Sequence, residues 1–322
     1  MNNPETIIEY GAGIVYLSDL NKKIASGEIS DVIMLAEAIQ ERSIAHIAHR
    51  IADEGKRIVL VAGPSSSGKT SFTKRLCMQL WTNGKKPIYL GTDDYFLERD
   101  AIKIGPDGHK NFENLGALDL DLFNKNLCDL LAGKLVDIPR FDFITGKKVF
   151  GEQKTQAYEG QTIVVEGIHG LNPNLTADIP DKEKFRIFIA PMTEPRIDDN
   201  TKIQTSDVRK IRRIVRDNAK RGWDARETLS NWENVRNGEY ENILPYKDNA
   251  DDVFNSSLVY ELAVLKPVIR PLLEDIAEGE ENFHEAQRLL GLLSYVDELT
   301  DTKFISNSSI IREFIGGSIV VD

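Results

Sequence analysis

The sequence predicts an α/β protein built on a doubly wound, mostly parallel sheet, with helical N- and C-terminal extensions. Three observations predict it. The apolar run Arg57-Ile58-Val59-Leu60-Val61-Ala62 passes through a glycine-framed loop into the amphipathic Ser71-Phe72-Thr73-Lys74-Arg75-Leu76-Cys77-Met78-Gln79-Leu80-Trp81, a strand, loop and helix in succession. Further apolar runs, at 87–91, 161–167, 184–189 and 252–255, alternate with helical stretches, as connected parallel strands require. The run at 161–167 is continuously apolar rather than alternating, the form of a strand covered on both faces.

Composition sets the outer limits. The 322 residues suffice for one large domain or two ordinary ones, and 41% hydrophobic with 28% charged residues is an ordinary globular balance. No apolar run approaches the roughly 18 residues that span a bilayer. The start, Met1-Asn2-Asn3-Pro4-Glu5, lacks a basic segment followed by an apolar one, so the expected location is cytoplasmic, with no membrane partner. Cys77 and Cys128 lie in apolar helical patterns without metal-ligand spacing and are expected as buried thiols of a reducing compartment. A net charge of −11 opposes extended nucleic-acid binding, which needs a basic face.

Along the chain, Ile14-Val15-Tyr16-Leu17 is strand-like, and Ser18-Asp19-Leu20 opens a helix that Ser26-Gly27 ends. A second helix, about 30–53, carries Ile33, Ala36, Ile44, Ile47 and Ile51 at helical spacing. Its His46 and His49 stand three apart, but without a Cys or carboxylate framework they fit a solvated face better than a metal pair. Asn83-Gly84 stops the helix after the loop, and Pro87-Ile88-Tyr89-Leu90-Gly91 forms a strand ending in Thr92-Asp93-Asp94-Tyr95-Phe96. Residues 98–116 are polar and aperiodic, suited to a substrate loop; 118–131 is helical, and Pro139-Arg140-Phe141-Asp142-Phe143 with Thr145-Gly146-Lys147-Lys148 resembles a hairpin. Toward the C-terminus, helices are expected from Leu258 through Leu265, again through Ile276, and over 283–299, and the apolar tail at 310–317 is expected to dock.

The loop itself, Gly63-Pro64-Ser65-Ser66-Ser67-Gly68-Lys69-Thr70, fits G-x-x-x-x-G-K-[ST]. Such a loop turns its backbone N–H groups toward phosphates at a helix N-terminus, with Lys69 reaching the outer phosphates and Thr70 offering a hydroxyl to Mg²⁺. A Ser/Gly-rich turn can match by chance, but the flanking strand and helix meet the motif's structural condition, so a nucleotide-triphosphate site of the P-loop NTPase type is expected. Gln161-Thr162-Ile163-Val164-Val165-Glu166-Gly167 ends in a carboxylate that many buried strands also carry; beside a phosphate loop it reads as a metal residue.

Residues 207–223 carry Arg209, Arg212, Arg213, Arg216, Lys220 and Arg221 on one helical segment ending at Gly222. A solvated basic face, a nucleic-acid patch and a lid closing on a transferring phosphoryl group are the three readings, and the triphosphate site favours the lid.

Taken together, these motifs resemble the uridine kinase and phosphoribulokinase family of P-loop kinases. Gly63 to Thr70, Asp93-Asp94-Tyr95-Phe96, Asn111-Phe112-Glu113, Pro139 to Phe143, Val165-Glu166-Gly167-Ile168 and Arg212 to Asp217 with Arg221-Gly222 follow the family's order. The resemblance spans roughly 57–256. It divides the chain into an N-terminal extension (1–56), a kinase domain (57–256) with a lid at about 205–240, and a C-terminal extension (257–322). It implies ATP and Mg²⁺ as cofactors and phosphoryl transfer to a hydroxyl of a small acceptor, most simply the 5′-hydroxyl of a nucleoside. Asp93 is then the base, with Asp94 its local rival, and Lys69 and Arg216 balance charge on the transferring group. Residues 63–71 with Arg216 and Arg221 would hold ATP, and Thr70 and Glu166 the metal. Asp93, Tyr95, Glu113, Phe141, Phe143, Arg213, Trp223 and Asn231 would surround the acceptor, Arg213 and Glu113 gripping ribose hydroxyls.

Departures from the family pattern fall on the nucleobase. Phe141 and Gly146 stand where pyrimidine kinases of the family have a tyrosine and a histidine, and Trp223 and Asn231 where they have an arginine and a glutamine. Losing groups that bond a polar edge alters selectivity strongly, so the expected ring site is more apolar, with Phe141 and Trp223 available for stacking. A non-nucleoside alcohol, such as a phosphosugar or a pantothenate-like acceptor, is the alternative; it would need cations converging near His109 to Glu113, Lys147, Lys148 and Arg213. A nucleotide-switched regulatory module is the alternative outside enzymes, although Asp93 and Glu166 are superfluous in one. The apolar helices at both ends offer surfaces for self-association, which core packing explains equally well.

Overall fold

A computed structural model describes residues 15–102, 112–143 and 145–321. Its strands are β1 (Ile58–Ala62), β2 (Ile88–Gly91), β3 (Leu135–Asp142), β4 (Lys147–Gln156), β5 (Ile163–Glu166), β6 (Lys184–Ala190) and β7 (Asp252–Asn255). Five of them form one sheet in the order β2-β5-β1-β6-β7, every pair parallel. The other two, β3 and β4, make an antiparallel hairpin, longer on both sides than the sequence pattern shows.

Every residue of β1 is buried, as a central parallel strand requires. Its alternate side chains supply two different cores. Val59 and Val61 join Val164, Ile187 and Ile189 on one face; Ile58 and Leu60 join Leu90, Ile163 and Val165 on the other.

The described helices are α1 (Leu17–Ala25), α2 (Ile29–Asp53), α3 (Lys69–Thr82), α4 (Leu120–Leu131), α5 (Thr205–Arg221), α6 (Ala225–Ser230), α7 (Trp232–Asn242), α8 (Glu261–Glu274), α9 (Phe283–Leu293) and α10 (Arg312–Ile315). The first face is covered by α2 and α3, together with Leu265, Leu293, Ile311 and Phe314 from the C-terminal stretch. The second carries α4 and the hairpin, through Phe123, Leu127, Val136 and Ile138. Local chemistry sets several ends: Asp119 caps α4 by accepting from the Leu122 N–H at 3.2 Å, Asp224 and Glu227 form a reciprocal capping box on α6, and Gly222, with φ of 69°, ends α5.

Four expectations need correction. The run 14–17 makes no strand within the described residues: Tyr16 forms a single bridge to Arg196, and Leu17 already opens α1 because its side chain is buried. Cys128 is exposed, since the buried stripe of α4 runs through Phe123, Leu127 and Leu130; only Cys77 is buried, and burial pushes its thiol up to about 12. The C-terminal helix is not broken at Leu265. It runs through Pro267 and Pro271, and the Ala263 carbonyl, four residues before Pro267 and so deprived of its helical donor, accepts the Leu299 N–H at 2.9 Å. That same pairing takes Leu299 out of α9, which stops at Leu293.

Candidate active site

Strand register brings the candidate residues to one edge. Val61 pairs with Glu166, and Glu166 also pairs with Gly91. The phosphate loop after Ala62, the carboxylate at the end of β5, and the Thr92–Tyr95 turn after β2 therefore emerge together at the carboxyl ends of the strands, where open α/β sheets bind ligands.

The loop's glycines have steric causes. A Cβ at Gly63 would collide with the Ile189 carbonyl, and Gly68 holds φ of 85° against the Ile310 side chain. Ser66 also has positive φ, at 58°, so the loop stores a local backbone cost. Pro64, Ser66 and Ser67 are buried, and Ser65 is partly so. The Lys69 ammonium donates to the Pro64 carbonyl at 3.1 Å. The Thr70 hydroxyl donates to Glu166 Oε1 at 2.9 Å, and the Tyr89 hydroxyl donates to Oε2 at 2.8 Å.

Asp93 and Asp94 diverge. Asp94 Oδ1 accepts the Phe141 N–H at 3.3 Å and is committed to the hairpin, whereas Asp93 interacts with Lys69 and Arg221. Asp93 reaches solvent, yet it stands in a cleft crowded by protein, and this desolvation pushes its carboxyl above the usual range against the pull of those two cations. Burial likewise raises Glu166, opposed first by Lys69, and lowers Lys69, opposed first by Glu166. Glu113 is raised by burial and opposed by Arg213 and Lys69.

Helix α5 lies against the loop. The Arg209 and Arg212 guanidinia donate to the Ser65 and Ser66 carbonyls, both at 3.4 Å, and Arg213 donates to Ser65 Oγ at 2.7 Å. Arg212 is fully buried and paired with Glu261 at 2.6 Å. Arg209 pairs with Glu239 of α7 at 2.7 Å. Asp217, also fully buried, holds ion pairs with Arg216 at 2.7 Å, Arg213 at 3.2 Å and Arg221 at 3.5 Å. Burial lowers Arg213 to about 10 despite that carboxylate. Arg209, Arg212 and Arg213 therefore do not form a solvated face, while Lys220 and Arg221 at the end of α5 are exposed.

The acceptor-side expectations divide. Glu113 and Arg213 do come together with Asp93, and a Cβ on Gly238 of α7 would press on Glu113. Tyr95 is instead a core residue: its ring is fully buried edge-on to Phe123, 4.9 Å between centroids, and Asn126 donates to its hydroxyl. Phe141 is corrected as well. Only 4% exposed, its ring packs edge-on between Phe96 and Phe143, and Phe143, 57% exposed, shows the open face of this cluster. Phe112 closes it against Phe96 at 5.4 Å. Gly146 has φ of 71° and fits against the Arg99 side chain, whose backbone N–H bonds its carbonyl. Trp223 is half-exposed beside Asp217, donating its backbone N–H to that residue's carbonyl, and Asn231 accepts from Asn234 of α7. Residues 103–111, with Asn111 and His109, lie outside the described residues. His46 and His49 are exposed, His49 beside Asp53.

Sequence reasoning assigned no role to Tyr89, Asp217 or Glu313, which accepts from Ser71, and placed Arg209 in the basic run without its contact to the loop. Asp217 lay inside the Arg212–Asp217 motif, Tyr89 precedes Asp93 by four residues and Glu313 lies in the apolar tail; nothing local pointed to Arg209's carbonyl contact or to the bond between Glu313 and Ser71.

The oxygen donors suit a hard cation. Thr70 Oγ1 and Glu166 Oε1 lie 2.9 Å apart, a hydroxyl and a carboxylate side by side, and no larger group of metal-binding side chains occurs among the described residues. That combination fits Mg²⁺, which keeps waters and substrate phosphates as its remaining ligands.

A phosphate loop at the end of β1, a carboxylate-ended β5, an acidic turn after β2 and an arginine helix over the loop define a P-loop kinase. The sequence pattern of the phosphoribulokinase / uridine kinase family matches residues 58–262, and the chain belongs to that family. A uridine kinase of Staphylococcus epidermidis is 28% identical over 196 residues, covering 60% of this chain and 84% of that one. Uridine-cytidine kinase A of Dictyostelium discoideum is 29% identical over 195 residues, covering 60% and 35%. Among solved structures, D-glycerate 3-kinase from Cryptococcus neoformans var. grubii is similar at a TM-score of 0.47 and 16% identity, covering 66% of this chain and 89% of that one. No helix among the described residues is long and apolar enough to cross a membrane.

Proposed function

We propose that the chain transfers the γ-phosphoryl group of ATP, with Mg²⁺, to a hydroxyl of a small acceptor, the 5′-hydroxyl of a nucleoside. The observation that carries this reading is the placement of Asp93 beside Lys69 and Arg221, with Glu113 and Arg213 next to them. One carboxylate there can take the acceptor's proton, while the other, with a guanidinium, can bond vicinal hydroxyls. Uridine kinases among the relatives support a nucleoside; their identity of 28% leaves the base to be read from this chain's own residues.

In this mechanism Asp93 accepts the proton of the attacking hydroxyl, and Lys69, Arg216 and Arg221 hold charge on the transferring group. The loop amides hold the donor phosphates, and Ser71, whose N–H and hydroxyl are bonded to Glu313, follows them in the first turn of α3. Thr70 and Glu166 would hold Mg²⁺, which supplies charge neutralisation across the donor's outer phosphates. Phe143 and Phe112, rather than Phe141, offer aromatic surface to the acceptor ring. Asp94 has no part in proton transfer, because the hairpin already engages it. In the same reading residues 57–256 carry the chemistry in the cytoplasm, and 1–56 and 257–322 buttress it.

The test is ADP release from Mg-ATP with a panel of nucleosides, sugar alcohols and an acceptor-free blank, using Lys69→Ala as control. One nucleoside is expected to stimulate release at least tenfold. Stimulation only by a non-nucleoside alcohol overturns the substrate class and leaves the chemistry. An acceptor-independent rate overturns both.

A further inference from the structure

The C-terminal segment touches the phosphate loop at several places, far from it in sequence. Ile310, fully buried, packs on Gly68. Glu313, 7% exposed, accepts the Ser71 hydroxyl at 2.7 Å and the Ser71 N–H at 3.3 Å, both on Oε2. The Phe314 ring lies 5.2 Å from the Arg212 guanidinium, which itself reaches the Ser66 carbonyl. The segment is anchored from behind, where Glu37 of α2 accepts from both Ser309 and Tyr260.

Ser71 is the third residue of α3, and the first N–H groups of such a helix are the ones that face donor phosphates. A carboxylate that fixes both the amide and the hydroxyl of this residue fixes the angle at which the first turn of α3 presents its remaining donors. Glu313 also stands close enough to Lys69 for their charges to interact.

We infer that Glu313 is a positioning residue of the donor site: through Ser71 it holds the first turn of α3 and the phosphate loop in the geometry that binds ATP. The inference rests on the phosphoryl-transfer reading above, and its test needs no knowledge of the acceptor. Lost positioning appears as weaker Mg-ATP affinity in a folded variant. Restoration of the hydrogen bonds alone restores affinity, since a glutamine oxygen can accept from Ser71 as the carboxylate does.

The experiment is calorimetric titration of Mg-ATP into wild type, Glu313→Ala, Glu313→Gln, Ser71→Ala and the Ala/Ala double variant, with thermal melts in parallel. Expected are at least tenfold weaker binding for Glu313→Ala, within about threefold of wild type for Glu313→Gln, and a double variant no weaker than Glu313→Ala alone. If Glu313→Ala does not fold, Ser71→Ala carries the test, with about three- to tenfold weaker binding expected. Lower melting temperatures with wild-type affinity would overturn the inference. So would tighter binding by Glu313→Gln, which would make the carboxylate a competitor of phosphate. Failure of the wild type to bind Mg-ATP would bring down the donor reading along with it, whereas wild-type binding with an indifferent Glu313→Ala removes only the inference.

Discussion

At the scale of single residues, position in a cleft decides chemistry more than residue type. Asp93 and Asp94 are neighbours of the same kind, but Asp94 is bonded to the Phe141 amide and Asp93 faces two cations. Asp93→Asn is expected to lower kcat by at least a thousandfold while changing Mg-ATP affinity less than threefold; parallel loss of affinity in a folded variant would assign Asp93 to the metal instead. In the proposed mechanism Asp93 must be ionised to act as the base, and burial pushes its carboxyl above the ordinary carboxylate range. Activity should therefore fall, as pH is lowered, at a higher pH than an unperturbed aspartate dictates. His169 has a separate consequence. It is 2% exposed, both ring nitrogens lack a hydrogen-bond partner among the described residues, and burial holds it down to about 4. Above pH 6.5 folded and unfolded forms are both neutral; below it only the unfolded form takes a proton, so stability falls with falling pH until about 4. The expected cost between pH 7.5 and 5 is about 2 kcal/mol. Urea melts at both pH values should show it in wild type and not in His169→Asn. Buried carboxylates raised in the fold act in the opposite sense, which makes the comparison with the variant the decisive one.

At the scale of elements, α5 shows what a helical pattern carries and what it does not. The basic run from Arg209 to Arg221 and the stop at Gly222 were legible, because spacing and capping are local. Which arginines are buried was not, since that depends on Glu261, Glu239 and the loop carbonyls, all distant in sequence. Asp217 organises the set: three guanidinia share one fully buried carboxylate. Replacing it by Asn would leave them to repel one another. Breaking a buried charge pair typically costs about 3–5 kcal/mol. Asp217→Asn is expected near the lower end of that range, with kcat/KM down about a hundredfold, both readable from urea melts and steady-state kinetics. A variant of wild-type kinetics would show that the arginines position themselves without it.

At the scale of the whole molecule, the central sheet was readable and its closure was not. Continuous apolar runs ending in a phosphate loop or in acids marked β1, β2 and β5 because a strand's burial is written along its own residues. The helix through Pro267 and Pro271 was misread as broken because its relief comes from Leu299, and the exposed Cys128 was misread because 3.6-residue spacing gives a stripe whose width depends on what packs against it. The same limit hid the Glu313–Ser71 contact, 242 residues apart.

Whole-molecule charge weighs against a nucleic-acid role for the basic helix. The chain carries a net −11, and Arg209, Arg212 and Arg213, the cations a nucleic-acid face would use, are buried against carboxylates and the phosphate loop. Phosphate tracking along a polyanion needs several exposed cations, each adding to the salt dependence of binding, and α5 leaves only its end exposed. Titration of a single-stranded RNA at 50 to 200 mM salt is therefore expected to give negligible affinity and a slope of log K against log salt near zero. A slope of about −3 or steeper would mean that several phosphates are neutralised at once, and would require a basic surface other than the one α5 turns inward.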